Sequence, residues 1–395
     1  MKKRVIILII ILIFFAGCSK GVNNLHLEEN LEKNSIEENS LHVNATQELI
    51  ERASELIEQR DYPQALGLLM DIREDVYAKS LLQQVRYYIS GDYIEILSSG
   101  IATIDKEGNI VVFLEDSSND LDIYEKTKEW KNIKSIYFVD YGLDALDSSG
   151  DFFTTVDNNL SRKRNEWLTG TENISLLSTA ASNYVLVQEG GKVNAFSEYN
   201  SYLEEAAVIN LLEKWNDVVD VVTGDNRIAV LHYDGTVSVV YANKLPGIPD
   251  PSTYNKYSNI YDDVELWTDI VDISAASTDC IVGLKSDGTV VVSNLYRSAS
   301  TSYQEVKDWT NIIAISKSNC TILGLKKDGT VVAAGNLNEK QKEISTWKDV
   351  IAIKAGDAFH VGLKADGTIL VAGEIDLSEI QKFDSIYIPE IKAPR

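Results

Sequence analysis

The apolar positions of this chain follow three different patterns. The first is an unbroken apolar run from Val5 to Phe15, preceded by Lys2, Lys3 and Arg4. Between residues 46 and 90, apolar residues recur every three or four positions, which is the period of an α-helix. Beyond residue 90, short apolar runs are separated by turn residues, as in β-hairpins. The patterns predict an export signal, a helical segment and a large β domain.

The amino-terminal apolar run is too short to cross a bilayer as a finished helix. It ends in Phe15-Ala16-Gly17-Cys18, which resembles a bacterial lipoprotein signal. The resemblance implies cleavage after residue 17 and acyl chains, such as palmitate, on Cys18. The alternatives are an uncleaved anchor and a plain secretory signal. We expect a lipid anchor on the outer face of the cytoplasmic membrane, at the cell surface, or alternatively in the outer membrane.

The chain between the signal and the β domain divides into two parts. Residues 18–44 are rich in Glu, Asn and Ser, which predicts a flexible acidic tether. Residues 45–90 predict a helical neck, in which Pro63 starts a second helix and a third helix follows. The stretch Glu58–Leu66 resembles the centre of a tetratricopeptide repeat. A single repeat cannot bury its own apolar face, so we expect the neck to pack on the following domain.

Residues 91–390 contain a unit that recurs about every forty residues. Three close copies begin at Trp267, Trp309 and Trp347, and each continues into Gly-Leu-Lys-x-Asp-Gly-Thr. Weaker copies lie upstream, so that seven turn glycines result: Gly108, Gly150, Gly191, Gly235, Gly288, Gly329 and Gly367. A tryptophan precedes five of these glycines by 20 or 21 residues: Trp130, Trp215, Trp267, Trp309 and Trp347. A large aromatic repeated once per unit predicts a packing residue between stacked sheets.

Asp-Gly between two apolar strands predicts a type I′ hairpin, whose two central residues both have φ > 0. Seven such units escape the problem of open sheet edges by closing into a ring. We therefore predict an all-β fold, a seven-bladed β-propeller, in which the tail Phe383–Ile388 adds a last strand to the first blade and residues 391–395 follow as an extension.

The Trp-led strand and the Gly-Leu-Lys-x-Asp-Gly-Thr segment resemble the repeat of the regulator of chromosome condensation family. That family folds as a seven-bladed propeller. Its nuclear members exchange nucleotides on a small GTPase and bind chromatin, but the matching residues here are the structural ones of the repeat. A secreted bacterial propeller of this type inhibits β-lactamase. The resemblance therefore implies the fold, and neither nucleotide nor nucleic acid is expected as a partner.

Charge and composition exclude several classes of function. The formal net charge is -23, which repels nucleic acid. The chain has no nucleophile elbow, phosphate loop or zinc-binding His pair, so we expect no catalytic residue, no metal and no cofactor. His232 and His360 are predicted to be structural. Cys280 and Cys320 occupy near-equivalent strands, where two buried thiols fit the register better than a disulfide.

A long insertion separates the fourth and fifth units, from Asn243 to Leu266. It either serves as a binding loop or is a spacer. The candidate contact residues are Tyr254, Tyr257, Tyr261, Asp262 and Asp263.

The sequence therefore predicts a non-enzymatic, surface-exposed lipoprotein that acts as a scaffold or adaptor. Its propeller would bind a protein or a cell-envelope polymer. Two alternatives stay open: an envelope glycan hydrolase or lyase with carboxylates in the channel, and an inhibitor of a secreted enzyme.

Overall fold

The computed structural model describes most of the chain beyond residue 43. It divides the chain into two compact units, Met1–Glu48 and Leu49–Arg395. The predicted signal peptide, the tether to residue 43 and Cys18 lie outside the described residues. No helix in the described part is long and apolar enough to span a bilayer. The described ranges are 44–115, 121–139, 142–156, 162–180, 183–197, 206–215, 217–224, 227–241, 263–276, 280–293, 301–375 and 386–392.

Three helices form the neck: α1 (residues 44–58), α2 (Tyr62–Asp71) and α3 (Val76–Ser90). Pro63 lies in the first turn of α2, where a missing backbone N–H costs nothing. The Asp75 carboxylate caps α3 by accepting from two backbone N–H groups, and Gly91 ends the helix with φ 68°. The apolar stripes of these helices share one core with strands of the fourth to seventh blades. The neck is thus packed on the β domain.

Within the described residues, twenty-one strands form seven antiparallel sheets of three. In each sheet the first strand is the inner one, the second is the middle one and the third is the outer one. The first four blades are β1 to β3 (Ile94–Leu97, Gly100–Ile104, Ile110–Leu114), β4 to β6 (Ile133–Val139, Gly142–Asp147, Phe152–Thr154), β7 to β9 (Ile174–Ala180, Asn183–Gln188, Val193–Ser197) and β10 to β12 (Val218–Gly224, Arg227–His232, Val237–Tyr241).

The last three blades are β13 to β15 (Ile270–Ala275, Ile281–Lys285, Val290–Val292), β16 to β18 (Ile312–Lys317, Thr321–Lys326, Val331–Gly335) and β19 to β21 (Val350–Ala355, Phe359–Lys364, Ile369–Gly373). Short helices pack against the outer strands. They are α4 (Leu121–Thr127), α5 (Arg162–Thr169), α6 (Ala206–Leu212) and the 3-10 helices Val264–Leu266, Thr301–Asp308 and Gln341–Thr346.

The inner strands of neighbouring blades contact one another around the whole ring, and the contact between β19 and β1 closes it. The predicted seven-bladed β-propeller, with a helical segment before it, is confirmed. The predicted tail strand is represented by one bridge between Ile386 and Asp105, together with a hydrogen bond from the Tyr387 N–H to the Ile104 carbonyl. Because every blade is built from consecutive strands, the tail reinforces the first blade without completing it.

The predicted type I′ turn is wrong in detail. In the fifth blade, the Lys285 N–H donates to the Thr289 carbonyl and the Gly288 N–H donates to the Lys285 carbonyl. This pattern is a three-residue loop in which only Gly288, with φ 77°, is left-handed. Asp287 has a negative φ, and its carboxylate accepts from the backbone N–H and the hydroxyl of Thr289. The same pair of backbone bonds recurs in all seven blades.

The turn glycines also join each blade to the next. The Gly288 carbonyl accepts from the Ile312 N–H at 3.0 Å, and a Cβ on Gly288 would lie 3.4 Å from Asn311 Cα. Asn311 is itself left-handed, with φ 59°, as are the residues that precede the inner strands of four other blades, Asn132, Asn173, Asp269 and Asp349. Three further turn glycines accept from the next blade in the same way: Gly108, Gly235 and Gly329. The repeated glycine therefore serves both the hairpin and the seam.

The five repeated tryptophans are all buried, at 6 to 9% exposure, and each lies three residues before an inner strand. In the last three blades, the indole lies on a glycine of the middle strand. A Cβ added to Gly324 would lie 2.9 Å from Trp309 Cε3, and one added to Gly362 would lie 2.8 Å from Trp347 Cζ3. The glycine of Gly-Leu-Lys is thus a packing partner of the tryptophan. Trp167 differs, because it lies in α5 and stacks on Phe196.

Candidate functional site

The propeller has two chemically different faces. The lower face carries the middle-to-outer hairpin turns, and the upper face carries the inner-to-middle loops, such as Ser98–Ser99 and Gly356–Ala358. The neck packs on the lower face at the fifth to seventh blades and also reaches the fourth, where Arg73 lies 5.7 Å from the centre of the Tyr233 ring. On this face Lys327 Nζ lies 2.8 Å from Asp61 Oδ2, and Arg60 Nη2 donates to the Val350 carbonyl at 3.0 Å. The upper face is therefore the larger free surface among the described residues.

A central channel of about 1330 Å³ runs between the inner strands and extends beside α3 at the lower face. Three serines of its wall link neighbouring blades. The hydroxyls of Ser178, Ser274 and Ser316 accept backbone N–H groups of the next inner strand at 2.9 to 3.1 Å. Polar positions in this wall thus hold the ring together.

Two carboxylates of the channel wall share one arginine of the neck. Arg86 Nη2 lies 2.6 Å from Asp220 Oδ2 and 3.5 Å from Asp272 Oδ1, while Nη1 donates to the Val271 carbonyl at 2.5 Å. Burial raises the pKa of Asp272 to about 8, and Arg86 only partly opposes this. Burial likewise raises the pKa of Asp220. Because one guanidinium faces two buried carboxylates, the cluster favours uptake of a proton.

A second charged group spans the joint between the last and first blades. Lys354 Nζ lies 3.1 Å from Glu95 Oε2 and 4.0 Å from Asp92 Oδ1. Burial alone would lower the pKa of Lys354, but the two carboxylates outweigh burial and raise it. The three carboxylates within the described inner strands, Glu95, Asp220 and Asp272, are therefore all within 4.0 Å of a cation.

The two histidines of the propeller have different environments. His232 bonds to Asp217 through Nδ1 at 2.7 Å and to Ser238 through Nε2 at 2.8 Å. His360 is fully buried, and its Nδ1 accepts from the Gly356 N–H at 3.3 Å, while Nε2 has no hydrogen-bond partner among the described residues. Burial lowers the pKa of His360 to about 4, against the opposing charge of Asp357. His232 thus contacts both a carboxylate and a serine hydroxyl, whereas the contact given for His360 is to a backbone N–H.

In the described part of the propeller, neither Cys280 nor Cys320 forms a disulfide. Cys280 is buried, as expected. Cys320 is exposed, so the prediction of two buried thiols is wrong for this residue. Each cysteine lies directly before a middle strand, Cys280 before β14 and Cys320 before β17, so this position does not by itself bury the thiol.

The candidate contact residues of the insertion cannot be placed. Tyr254, Tyr257, Tyr261 and Asp262 lie outside the described residues. Asp263 directly precedes the 3-10 helix Val264–Leu266, in which Val264 is buried. In the described part, no group of three or more His, Cys, Asp or Glu side chains could hold a metal ion.

The sequence analysis missed the charged groups of the channel and a junction of tyrosines. Arg86, Asp220, Asp272 and Lys354 were not singled out. A signal was available, because Asp220 and Asp272 each stand alone inside an apolar inner strand, where a charge requires a partner.

The tyrosine junction joins the neck to the first blade and to the tail. The ring of Tyr87 lies 5.7 Å from Tyr93 and 6.4 Å from Tyr387, and Tyr62 lies 5.3 Å from Tyr88. These rings are buried or half-buried. They therefore do not provide the exposed aromatic face that an inhibitor would use.

Comparisons with known proteins were made with both the sequence and the structure. No protein-family model matches the sequence, and no curated protein matches it significantly. The CRINKLY WD40 ectodomain of the Arabidopsis thaliana receptor kinase ACR4 is 13% identical, with a TM-score of 0.49, over 75% of this chain and 96% of that one. Prp20p from Saccharomyces cerevisiae, described for its binding to Gsp1p and histones, is 14% identical, with a TM-score of 0.38, over 75% and 70%.

Human WBSCR16 is 13% identical, with a TM-score of 0.39, over 75% of this chain and 82% of that one. At these levels of similarity, the assignment of the fold rests on the seven sheets and the closed ring themselves. This chain is a seven-bladed β-propeller with a helical neck packed on one of its faces.

Proposed function

We propose that this protein is a non-enzymatic binding module, a scaffold or adaptor, whose partner contacts the upper face of the propeller. The observation that carries the proposal is the pairing of the three carboxylates of the described inner strands, Glu95, Asp220 and Asp272, with Lys354 or Arg86. A general acid and a base need their oxygens available to a substrate. Here those oxygens hold the neck and the joint of the ring.

The position of the neck supports the choice of face. Over three blades the neck occupies the lower face through contacts such as the one between Lys327 and Asp61. The upper face instead presents exposed residues of short loops, such as Ser98, Asp357 and Ala358. Loops on a rigid scaffold are where binding residues concentrate.

The partner is a protein or a cell-envelope polymer, and the protein acts outside the cytoplasm. The export signal at residues 1–17 and Cys18 support this part of the proposal. Acyl chains on Cys18 would hold the protein at the outer face of the cytoplasmic membrane, or in the outer membrane. Globomycin blocks the peptidase that cleaves lipoprotein signals, so it should make the uncleaved precursor accumulate. Cys18→Ser should release the protein from the membrane fraction.

A pull-down from envelope extracts tests the binding function. The bait is residues 44–395, and the comparison bait has residues 243–262 replaced by a short turn. Residues from Asp263 onward are kept, because Val264 is buried and its carbonyl accepts from the Trp267 N–H. One protein or polymer retained by the first bait and lost by the second identifies the insertion as part of the site. Failure of both baits to retain any partner contradicts the binding function.

A hydrolase or lyase site in the channel is the second candidate. The observation that favours it is the pair Asp220 and Asp272, one of which has a pKa near 8, as a general acid requires. Cleavage of envelope glycan by the wild-type protein, abolished in Asp272→Asn, would establish this function. Absence of cleavage under conditions in which the partner is retained would leave binding as the function.

A further inference from the structure

Asp220 and Asp272 occupy the same position in two adjacent inner strands. In each strand, the pairing register with the middle strand shifts between the first and the third residue. These residues are Val218 and Asp220 in β10, and Ile270 and Asp272 in β13. The other blades with this shift have Ser135, Leu176, Ala314 and Ala352 as the third residue. The two carboxylates are thus a special feature of the fourth and fifth blades.

Three acceptors surround one guanidinium at this point of the wall. They are the two carboxylates and the Val271 carbonyl, and they come from two strands of the propeller. The planar guanidinium can donate to several acceptors at once, whereas an ammonium is a point charge. The arrangement therefore suits an arginine specifically.

The helix that supplies Arg86 otherwise contacts different blades. α3 packs on β16 and β19, in the sixth and seventh blades, whereas Arg86 reaches the fourth and fifth. The side chain therefore extends over the lower mouth of the channel. The Arg86 side chain is 12% exposed and the Asp220 side chain is 17% exposed, so the site borders the open space of the channel.

We propose that Val271, Asp220 and Asp272 form a guanidinium-binding site built by the propeller itself, and that Arg86 occupies it as an internal ligand that fixes the neck across the lower mouth. The site exists independently of α3 as a set of acceptors on two blades. When the Arg86 side chain is removed, the site is expected to accept a guanidinium ion from solution. The site thus binds a guanidinium group, and in the folded protein that group belongs to Arg86.

Chemical rescue of Arg86→Ala tests the proposal. Breaking a buried ion pair is expected to lower the Tm by about 5 °C in a domain of this size. Because guanidinium chloride is also a denaturant, at ten times its Kd it should lower the Tm of Arg86→Ala by about 2 °C less than it lowers the Tm of the wild-type protein. The matched control is Arg52→Ala, which removes an exposed arginine paired only locally with Glu55, and which should show no rescue.

Two further variants decide between site-specific and general effects. In Arg86→Ala combined with Asp220→Asn and Asp272→Asn, guanidinium chloride should lower the Tm as far as it does in the wild-type protein. Equal rescue in this triple variant, or a Tm of Arg86→Ala that falls in guanidinium chloride as far as the Tm of the wild-type protein, would overturn the proposal. If Arg86→Ala does not fold, Arg86→Lys gives the answer. A lower Tm than wild type is expected, because the compact ammonium lacks the planar donor fork that reaches acceptors on two strands at once. A Tm equal to wild type would refute recognition of the guanidinium.

Discussion

Replacement of His360 by isoleucine should remove a large part of the acid sensitivity of the propeller. The imidazole is fully buried, and its Nε2 has no hydrogen-bond partner in the described part of the chain. The register places His360 opposite Ala355 in the seventh blade, as Ile322 lies opposite Lys317 in the sixth. Isoleucine is therefore a side chain that this position already accepts elsewhere in the ring.

The magnitude follows from the pKa of His360, which is lowered from 6.5 to about 4 by burial. The folded state resists protonation while the unfolded chain protonates near its ordinary pKa. Stability is therefore full above pH 6.5 and falls as the pH drops from 6.5 to 4. At 1.36 kcal/mol per pH unit, the whole loss is about 3 kcal/mol, of which about 2.5 kcal/mol has occurred at pH 4.5.

Urea unfolding of the wild-type protein and His360→Ile at pH 7.5 and pH 4.5 measures this effect. The loss of stability between the two pH values should be smaller in the variant by about 2.5 kcal/mol. At pH 7.5 the variant loses the hydrogen bond from Gly356, which costs about 1 kcal/mol.

The reciprocal change, Ile322→His, should create a similar acid sensitivity in the sixth blade. An unchanged pH dependence in His360→Ile would refute the assigned role of this residue.

Three other predictions concern packing and charge. Gly362→Ala should destabilise the protein by about 1–3 kcal/mol, because the added Cβ would lie 2.8 Å from Trp347. At Gly190 an added Cβ would have no neighbour within 4 Å, so Gly190→Ala should cost only the strain of the left-handed φ. Equal Tm values for the two variants would contradict the packing role of the glycine. Between pH 5 and pH 8, the free energy of unfolding of Asp272→Asn should rise by at least about 1 kcal/mol relative to that of the wild-type protein, because a carboxyl group whose pKa is raised by folding stabilises the folded state less as the pH rises. A difference between the two proteins that is the same at pH 5 and pH 8 in urea titrations would count against this. Ile386→Ala should lower the free energy of unfolding by about 2–4 kcal/mol through loss of a side chain that is 1% exposed, while the exposed Glu390→Ala should have little effect in the same thermal melts.

The regular parts of the fold were predictable because each is fixed by local sequence. Every inner strand that follows one of the five repeated tryptophans begins three residues later, and each turn glycine lies between a middle and an outer strand. The turn type was missed because Asp-Gly fits two hairpin geometries, and the backbone bonds that distinguish them involve the residues on both sides.

The contacts that position the candidate site could not be predicted in the same way. Arg86 meets Asp220 and Asp272 from a distant part of the chain, and the choice of blade depends on how the neck packs. His360 shows the same limit, since its sequence neighbours do not reveal that its Nε2 is buried without a hydrogen-bond partner among the described residues. Local pattern predicts the blades, whereas the functional surfaces depend on contacts between remote segments.

The central claim is that this propeller binds its partner through the upper face. Site-specific photo-crosslinking in living cells tests it most directly, with the crosslinker at the exposed residues Ser98 and Ala358 of the upper loops. The matched positions are Ser149 and Glu189, which are exposed on the part of the lower face that the neck leaves uncovered. The account predicts a common adduct at the upper positions and none at the lower ones. Adducts confined to Ser149 and Glu189 would contradict it.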